Sequence, residues 1–228
     1  YTNTGNYISY NSDSFDKNKW YHLAISWHGN GSEINEYRMY VNGTQVASIT
    51  GVNETLNTIS ELRIGYLLDG LMSDLRIFDQ SLSFSEISSL YYSGLGSHQI
   101  QTGYTEQYTD GEPPTSMWHL DEGSGSTIYD SIGSYHGALG TGDSAPVWAD
   151  GASCISNSCL SFDGTNDYAL IDSIITGLKS LSFWVKPATT STSVIDLNGN
   201  QTVTINNNTV LANNFSSPSI YVNGQVTT

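Results

Sequence analysis

At 228 residues, with 38% hydrophobic and 13% charged residues, the chain can bury the core of one large or two modest domains and is not of disordered composition. Its 22 acidic against 7 basic residues give a net charge of −15, which repels nucleic acid and anionic membranes and suits an extracellular surface or one that recruits divalent cations. No apolar run approaches the ~18 residues of a membrane span, and YTNTGNYISY at the start has neither the basic nor the apolar region of a signal peptide.

In chain order, residues 20–27 (WYHLAISW) alternate Tyr21, Leu23, Ile25 and Trp27 against His22, Ala24 and Ser26, the pattern of a half-buried strand. Residues 37–49 predict two strands around Asn42-Gly43, the dipeptide best suited to a type I′ hairpin turn. ELRIGY (61–66) and GLMSDLRIF (70–78) alternate again, the latter with Leu71, Leu75 and Ile77 facing one way and Asp74 and Arg76 the other. A short helix is expected next. Ser83-x-x-Glu86 has capping-box spacing, and Phe84, Ile87, Leu90 and Tyr91 fall on one stripe. Residues 93–116, rich in Gly and polar residues and holding Pro114, have no sustained period and read as a linker.

The second block opens on MWHLDEGSGSTIYDSIGSYHGAL, a strand breaking into a Gly/Ser loop. Residues 154–171 read as a hairpin and strand, and LSFWVK (181–186) as a strand. SVIDLNG, QTVTINNNTV and SIYVNGQV follow, the last with Asn223-Gly224 placed like Asn42-Gly43. Short strands at this spacing with a single helix predict an antiparallel two-sheet sandwich. Six Asn-x-Ser/Thr sequons (Asn30, Asn42, Asn53, Asn200, Asn207, Asn214) match the number expected by chance in such a composition and carry no weight.

Trp118-x-x-Asp121-Glu122-Gly123-Ser124-Gly125, Asp130-Ser131-x-Gly133, Leu160-Ser161-Phe162-Asp163-Gly164-x-x-Asp167-Tyr168 and Ser182-Phe183-Trp184-Val185-Lys186-Pro187 together resemble the opening half of a laminin G-like domain. Trp20-Tyr21-His22-Leu23-Ala24, Tyr40-Val41-Asn42-Gly43, Leu62-x-Ile64-Gly65 and the run from Gly70 through Asp74-Leu75-Arg76-Ile77-Phe78-Asp79-Gln80 to Glu86-Ile87 resemble the closing half. The resemblance covers most of the chain outside the linker and implies an all-β concanavalin A-like jelly roll, with two sheets of six or seven strands and its first and last strands adjacent. The halves arrive in reverse order: residues 1–92 close a domain and residues 117–228 open one. Such a chain is a window of a tandem array, a subunit that exchanges half-domains with its neighbours, or a circular permutant. The permutant must tolerate two copies of one hairpin type, at Tyr40–Gly43 and Tyr221–Gly224.

No run of alternating carboxylates supplies a glycosidase pair: Glu33 and Glu36 fall in an expected loop, and the adjacent Asp121 and Glu122 point to opposite faces of a strand. The five histidines (22, 28, 98, 119, 136) lack metal-ligand spacing, so no catalytic role is expected. The resemblance implies a structural calcium ion where first and last strands meet, held by Asp74 with Asp121 or Glu122; the alternative is that Asp74 pairs with Arg76 or a nearby lysine and that Glu122 is a turn acid. Cys154 and Cys159 span a four-residue loop, ISNS, that lets a hairpin disulfide close, with two free thiols as the alternative. A disulfide favours an oxidising, extracellular location. Trp20, Trp27, Trp118 and Trp184 sit at expected core positions, whereas Trp148, Tyr104, Tyr108 and Tyr135 are freer to meet a ligand.

These readings predict a non-catalytic extracellular module for adhesion, surface attachment or glycan binding. The alternatives are a filament or sheath subunit assembled by exchange of half-domains and an accessory carbohydrate-binding part of a polysaccharide-degrading enzyme. The expected partners are a glycan or an extracellular protein surface, with other copies of the chain as a further candidate. Neither nucleic acid nor membrane insertion is expected.

Overall fold

The computed structural model describes residues 7–11, 15–28, 34–54, 58–96, 112–189, 191–199, 201–206, 209–213, 220–222 and 225–227. The first block forms β1 (Tyr7–Asn11), β2 (Tyr21–His28), β3 (Ile34–Val41), β4 (Thr44–Glu54), β5 (Leu62–Ile64) and β6 (Asp69–Phe78), then α1 (Phe84–Gly96). The second forms β7 (Ser116–Trp118), β8 (Thr127–Ile128), β9 (Gly137–Leu139), β10 (Val147–Asp150), β11 (Ser158–Asp163), β12 (Ala169–Ile171) and β13 (Ser180–Pro187). It continues with β14 (Ser191–Leu197), β15 (Gln201–Asn206), β16 (Thr209–Asn213), β17 (Ile220–Val222) and β18 (Gln225–Thr227).

All pairings are antiparallel, and they build a two-sheet jelly-roll sandwich. One sheet runs β1-β16-β15-β14-β5-β12-β9-β8; the other runs β10-β11-β6-β13-β2-β3-β4-β17-β18, with β7 paired to β6. The two blocks are interleaved in both. β6 lies between β11 and β13, β13 also pairs with β2, and β5 lies between β14 and β12. The two blocks therefore pack on each other within the chain. The expected adjacency of opening and closing strands is present as Leu75 opposite Trp118. Among the described residues the sheets hold eight and ten strands rather than six or seven, partly because the repeated hairpin adds β17 beside β4, with Ile220 opposite Ile49. The Asn223-Gly224 turn lies outside the described residues, whereas Asn42 (φ 50°) and Gly43 (φ 73°) adopt the expected left-handed pair of a type I′ turn.

Between the sheets lies one core to which both blocks contribute, including Leu23, Ile25, Trp27, Ile64, Leu75 and Ile77 from the first and Trp118, Leu160, Phe162, Phe183 and Val185 from the second. Gly65 shows how closely the blocks fit. Its φ is +78°, and a Cβ there would sit 2.1 Å from the ring of Phe162, so neither the backbone nor the space admits another residue.

Two strand readings change on burial. β2 is buried on both faces from Tyr21 to Trp27, not half-buried. The reason is that α1 and the segment before it cover the sheet's outer face, where Ala24, Tyr40, Phe78, Leu82, Ile87 and Leu90 form a second apolar cluster. β6 contains a β-bulge: Ser182 opposes Arg76 and Trp184 opposes Ser73, so Phe183 faces two residues, Asp74 and Leu75. The bulge reverses the alternation, so Met72 enters the core and Leu71 is left half-buried. In α1 the Ser83/Glu86 capping box forms, with the Ser83 N–H donating to the Glu86 carboxylate at 2.6 Å and the Glu86 N–H donating to Ser83 Oγ at 3.4 Å. Phe84, however, is 55% exposed, whereas Leu82, just before the helix, is buried in the second cluster. The helix also runs through residues 93–96 and β7 starts at Ser116, so both ends of the expected linker are structured; residues 97–111 lie outside the described residues.

Candidate functional site

The opening motif of the second block is spent mainly on its own backbone. Trp118 Nε1 donates to the Tyr135 carbonyl at 2.8 Å, and Glu122 Oε1 accepts the Tyr129 N–H at 2.7 Å, fastening the loop between Glu122 and Tyr129. Asp130 is 5% exposed. Its Oδ1 accepts N–H groups of Met117 (3.0 Å), Ile132 (3.1 Å) and Gly133 (2.9 Å), and its Oδ2 accepts that of Tyr135 (3.2 Å). Burial pushes its carboxyl up, but these four donors outweigh that and hold it below the usual carboxylate range. The Asp-x-x-Gly spacing follows from this nest, since a Cβ on Gly133 would lie 2.6 Å from Asp130 Oδ2. Asp130→Asn removes the charge and one acceptor, and is expected to cost about 2 kcal/mol, read as a lower midpoint in a urea melt with an unchanged slope.

Asp121 takes the other course. Where β7 meets β6, Ser73, Asp74, His119, Asp121, Ser156 and Trp184 line a polar cavity of about 40 Å³. The β6 bulge aims Asp74 into it: the residue is left-handed (φ 56°), a conformation Asp tolerates better than most, and its N–H donates to the His119 carbonyl at 3.0 Å. Arg76, 4% exposed, grips the Asp74 carboxylate with Nε at 3.0 Å from Oδ1 and Nη2 at 2.9 Å from Oδ2. Asp74 therefore does pair with Arg76. The Cys154–Cys159 disulfide, with Cα atoms 5.5 Å apart, closes the loop that presents Ser156 to the cavity. The structure thus brings Asp74 and Asp121 together and leaves Glu122 out.

The donor set is oxygen-rich, which suits a hard cation, and the volume suits an ion with one or two waters but not a sugar ring. A carboxylate gripped by a guanidinium still has a lone pair free on each oxygen, so Asp74 can bridge Arg76 and a cation. Among the described residues no group of three or more His, Cys, Asp or Glu is placed to hold a metal, so any ion here relies on Asp74, Asp121, hydroxyls and water.

Behind the cavity, Trp184, Tyr91 and His22 form an aromatic stack beneath α1. Tyr91 lies 5.7 Å from Trp184 and His22 5.3 Å from it, centroid to centroid. His22 is 2% exposed and its Nδ1 has no partner; burial above all holds its pKa at about 3, with Asp74 raising and Arg76 lowering it. Sequence reading placed His22 on a solvated face, because the helix that covers it is remote in the chain.

The aromatics divide differently from expectation. Trp27, Trp118 and Trp184 are buried, but Trp20 is only half-buried and donates to the Ser153 carbonyl at 3.1 Å. Trp148 and Tyr135, read as freer, pack against the core, and Trp148 donates to the Gly125 carbonyl at 2.9 Å. Tyr104, Tyr108, His98 and Glu33 lie outside the described residues. Sequence reading missed Arg63, Tyr66 and Tyr168, which gather on the outward face of the eight-stranded sheet. Asn42 carries a sequon, yet its Oδ1 accepts the His22 N–H at 3.0 Å within the hairpin.

Residues 1–88 match a laminin G family model, Laminin_G_3, described as the concanavalin A-like lectin/glucanases superfamily. No curated protein and no solved structure matches the chain. The first block is thus similar to a laminin G-like segment of that superfamily, and strands of the second block pair with it to complete both sheets.

Proposed function

From a concanavalin A-like sandwich closed by two blocks of one chain, we propose that the protein is a non-catalytic extracellular module for adhesion, surface attachment or glycan binding. The observation that carries this reading is where its acids go. Glu122 and Asp130 are committed to backbone N–H groups, Asp74 to Arg76, and the cavity that Asp74 and Asp121 share is too small for a sugar ring. Acid and nucleophile of a glycosidase must instead flank a substrate-sized cleft. The disulfide is compatible with an oxidising exterior, and no helix among the described residues is long and apolar enough to cross a membrane. Screening the protein on arrays of glycans and of extracellular matrix proteins tests the reading: saturable binding without turnover supports it, and hydrolysis of a bound polysaccharide overturns it.

Within this module the Asp74/Asp121 cavity is proposed to take calcium, which would fasten β6 to the segment after β7. With two carboxylates, one already shared with Arg76, the affinity belongs in the 10⁻⁴–10⁻³ M range of extracellular modules. Calcium at ten times its Kd is then expected to add about 1.4 kcal/mol, a rise of a few degrees in the thermal midpoint. Asp121→Asn should abolish that rise. A midpoint indifferent to both calcium and chelator sinks the calcium site.

A second reading rests on the interleaving itself. Strands that complete one another within this chain can do so between copies, giving a filament by exchange of half-domains. Regular fibres in electron micrographs, dependent on both blocks, would favour it.

A further inference from the structure

The two outer faces of the sandwich differ. α1 seals one, while the outward face of the eight-stranded sheet carries Arg63, Asp196 and Thr202 in adjacent registers, a polar surface. At its centre the Arg63 guanidinium lies over the rings of two tyrosines, 5.9 Å from the centroid of Tyr66 and 5.7 Å from that of Tyr168. Glu61 steadies it with an ion pair at 2.7 Å. Tyr66 remains 36% exposed and Tyr168 half-buried, so both rings keep open surface. Opposite Arg63 stands Asp196, whose Oδ1 is buried without a hydrogen-bond partner in the fold.

We propose that this Arg63–Tyr66–Tyr168 platform binds an uncharged oligosaccharide, each tyrosine offering a face for a sugar ring and the charged side chains taking its hydroxyls. The inference rests on the module reading above and names its ligand class. Charge selects the occupant. Arg63 is balanced locally by Glu61 and Asp196, and the chain as a whole carries −15, so a polyanion such as a sulfated glycan is repelled. A protein interface is depleted of charged residues at its core, whereas Arg63, Glu61 and Asp196 gather at the centre of this face. Sugars fit both demands, because their hydroxyls donate to carboxylates and accept from guanidinium while their C–H faces stack on aromatic rings.

The test is calorimetric titration of the full chain with uncharged cello-, xylo-, manno- and chito-oligosaccharides, beside a heparin-derived oligosaccharide. Binding of one neutral series is expected, with Kd at least tenfold weaker in Tyr66→Ala and in Arg63→Met and close to wild type in Tyr66→Trp. Tyr66 is exposed, so Tyr66→Ala should keep the wild-type melting temperature and read binding alone. If the wild type binds a neutral glycan and Tyr66→Ala binds it equally, this platform is wrong while the module reading stands. If only heparin binds, the ligand class is wrong. If no glycan binds, the platform falls, and the module reading survives only through an extracellular protein ligand.

Discussion

Residues 1–96 and 112–228, produced separately, are expected to lack cooperative unfolding and to recover the sandwich when mixed. The central strands of the ten-stranded sheet depend on the other block. β6 loses all its partners, β11, β13 and β7, and β2 loses β13 when the second block is removed. In the other sheet β5 loses β14 and β12. Each fragment then shows unpaired strand edges and a core half open to water, a strong drive to associate. The loss is not confined to hydrogen bonds, since Phe162 packs against Gly65 and Trp184 against α1 across the same boundary. Circular dichroism melts of the fragments, alone and mixed, read the outcome. Two monomers that each melt cooperatively on their own would show that the blocks are independent domains.

The same interleaving explains what the sequence disclosed and what it withheld. Local patterns were legible wherever a short window determines the structure: the Asn42-Gly43 turn, the Ser83/Glu86 capping box, the Cys154–Cys159 loop and the Trp-bearing strands all formed as read. What needed a distant partner was misread. β2 looked half-buried because α1, which covers its second face, begins more than fifty residues later, and Leu71 looked inward because nothing in GLMSDLRIF announces a bulge at Asp74. The site divided along the same line. Asp74 and Asp121 do share a cavity, although they come from different blocks. Glu122 was indistinguishable from Asp121 in sequence, and only the loop to Tyr129 decides between them. Arg63, Tyr66 and Tyr168 were not legible as one site, because Tyr168, which ends the Leu160–Tyr168 run, reaches the platform from the other block.

Acidification is expected to weaken the fold over the pH range from 6.5 down to 3, with His22 as the largest single contributor. An imidazole buried beside Trp184, with its Nδ1 unpartnered, folds in its neutral form, and burial lowers its pKa from 6.5 to about 3. Between those two values the unfolded chain binds the proton and the folded chain does not. Stability therefore rises with pH across that window, is fully present above 6.5 and is lost as pH falls toward 3. Each pH unit within it is worth about 1.4 kcal/mol, so roughly 2 kcal/mol is gone by pH 5 and up to ~5 kcal/mol by pH 3. Asp130 adds a separate loss lower down. Its depressed folded pKa contributes stability above the ordinary carboxylate value of about 3.9, which disappears as pH falls through the folded value. His22→Leu fills a similar space without a titrating group, so its stability between pH 7 and 5 should be nearly flat where the wild type slopes. Urea melts of both proteins at half-unit pH steps separate this from the slope common to all carboxylates. Parallel curves would mean that His22 is protonated in the fold, and that α1 leaves it open to water.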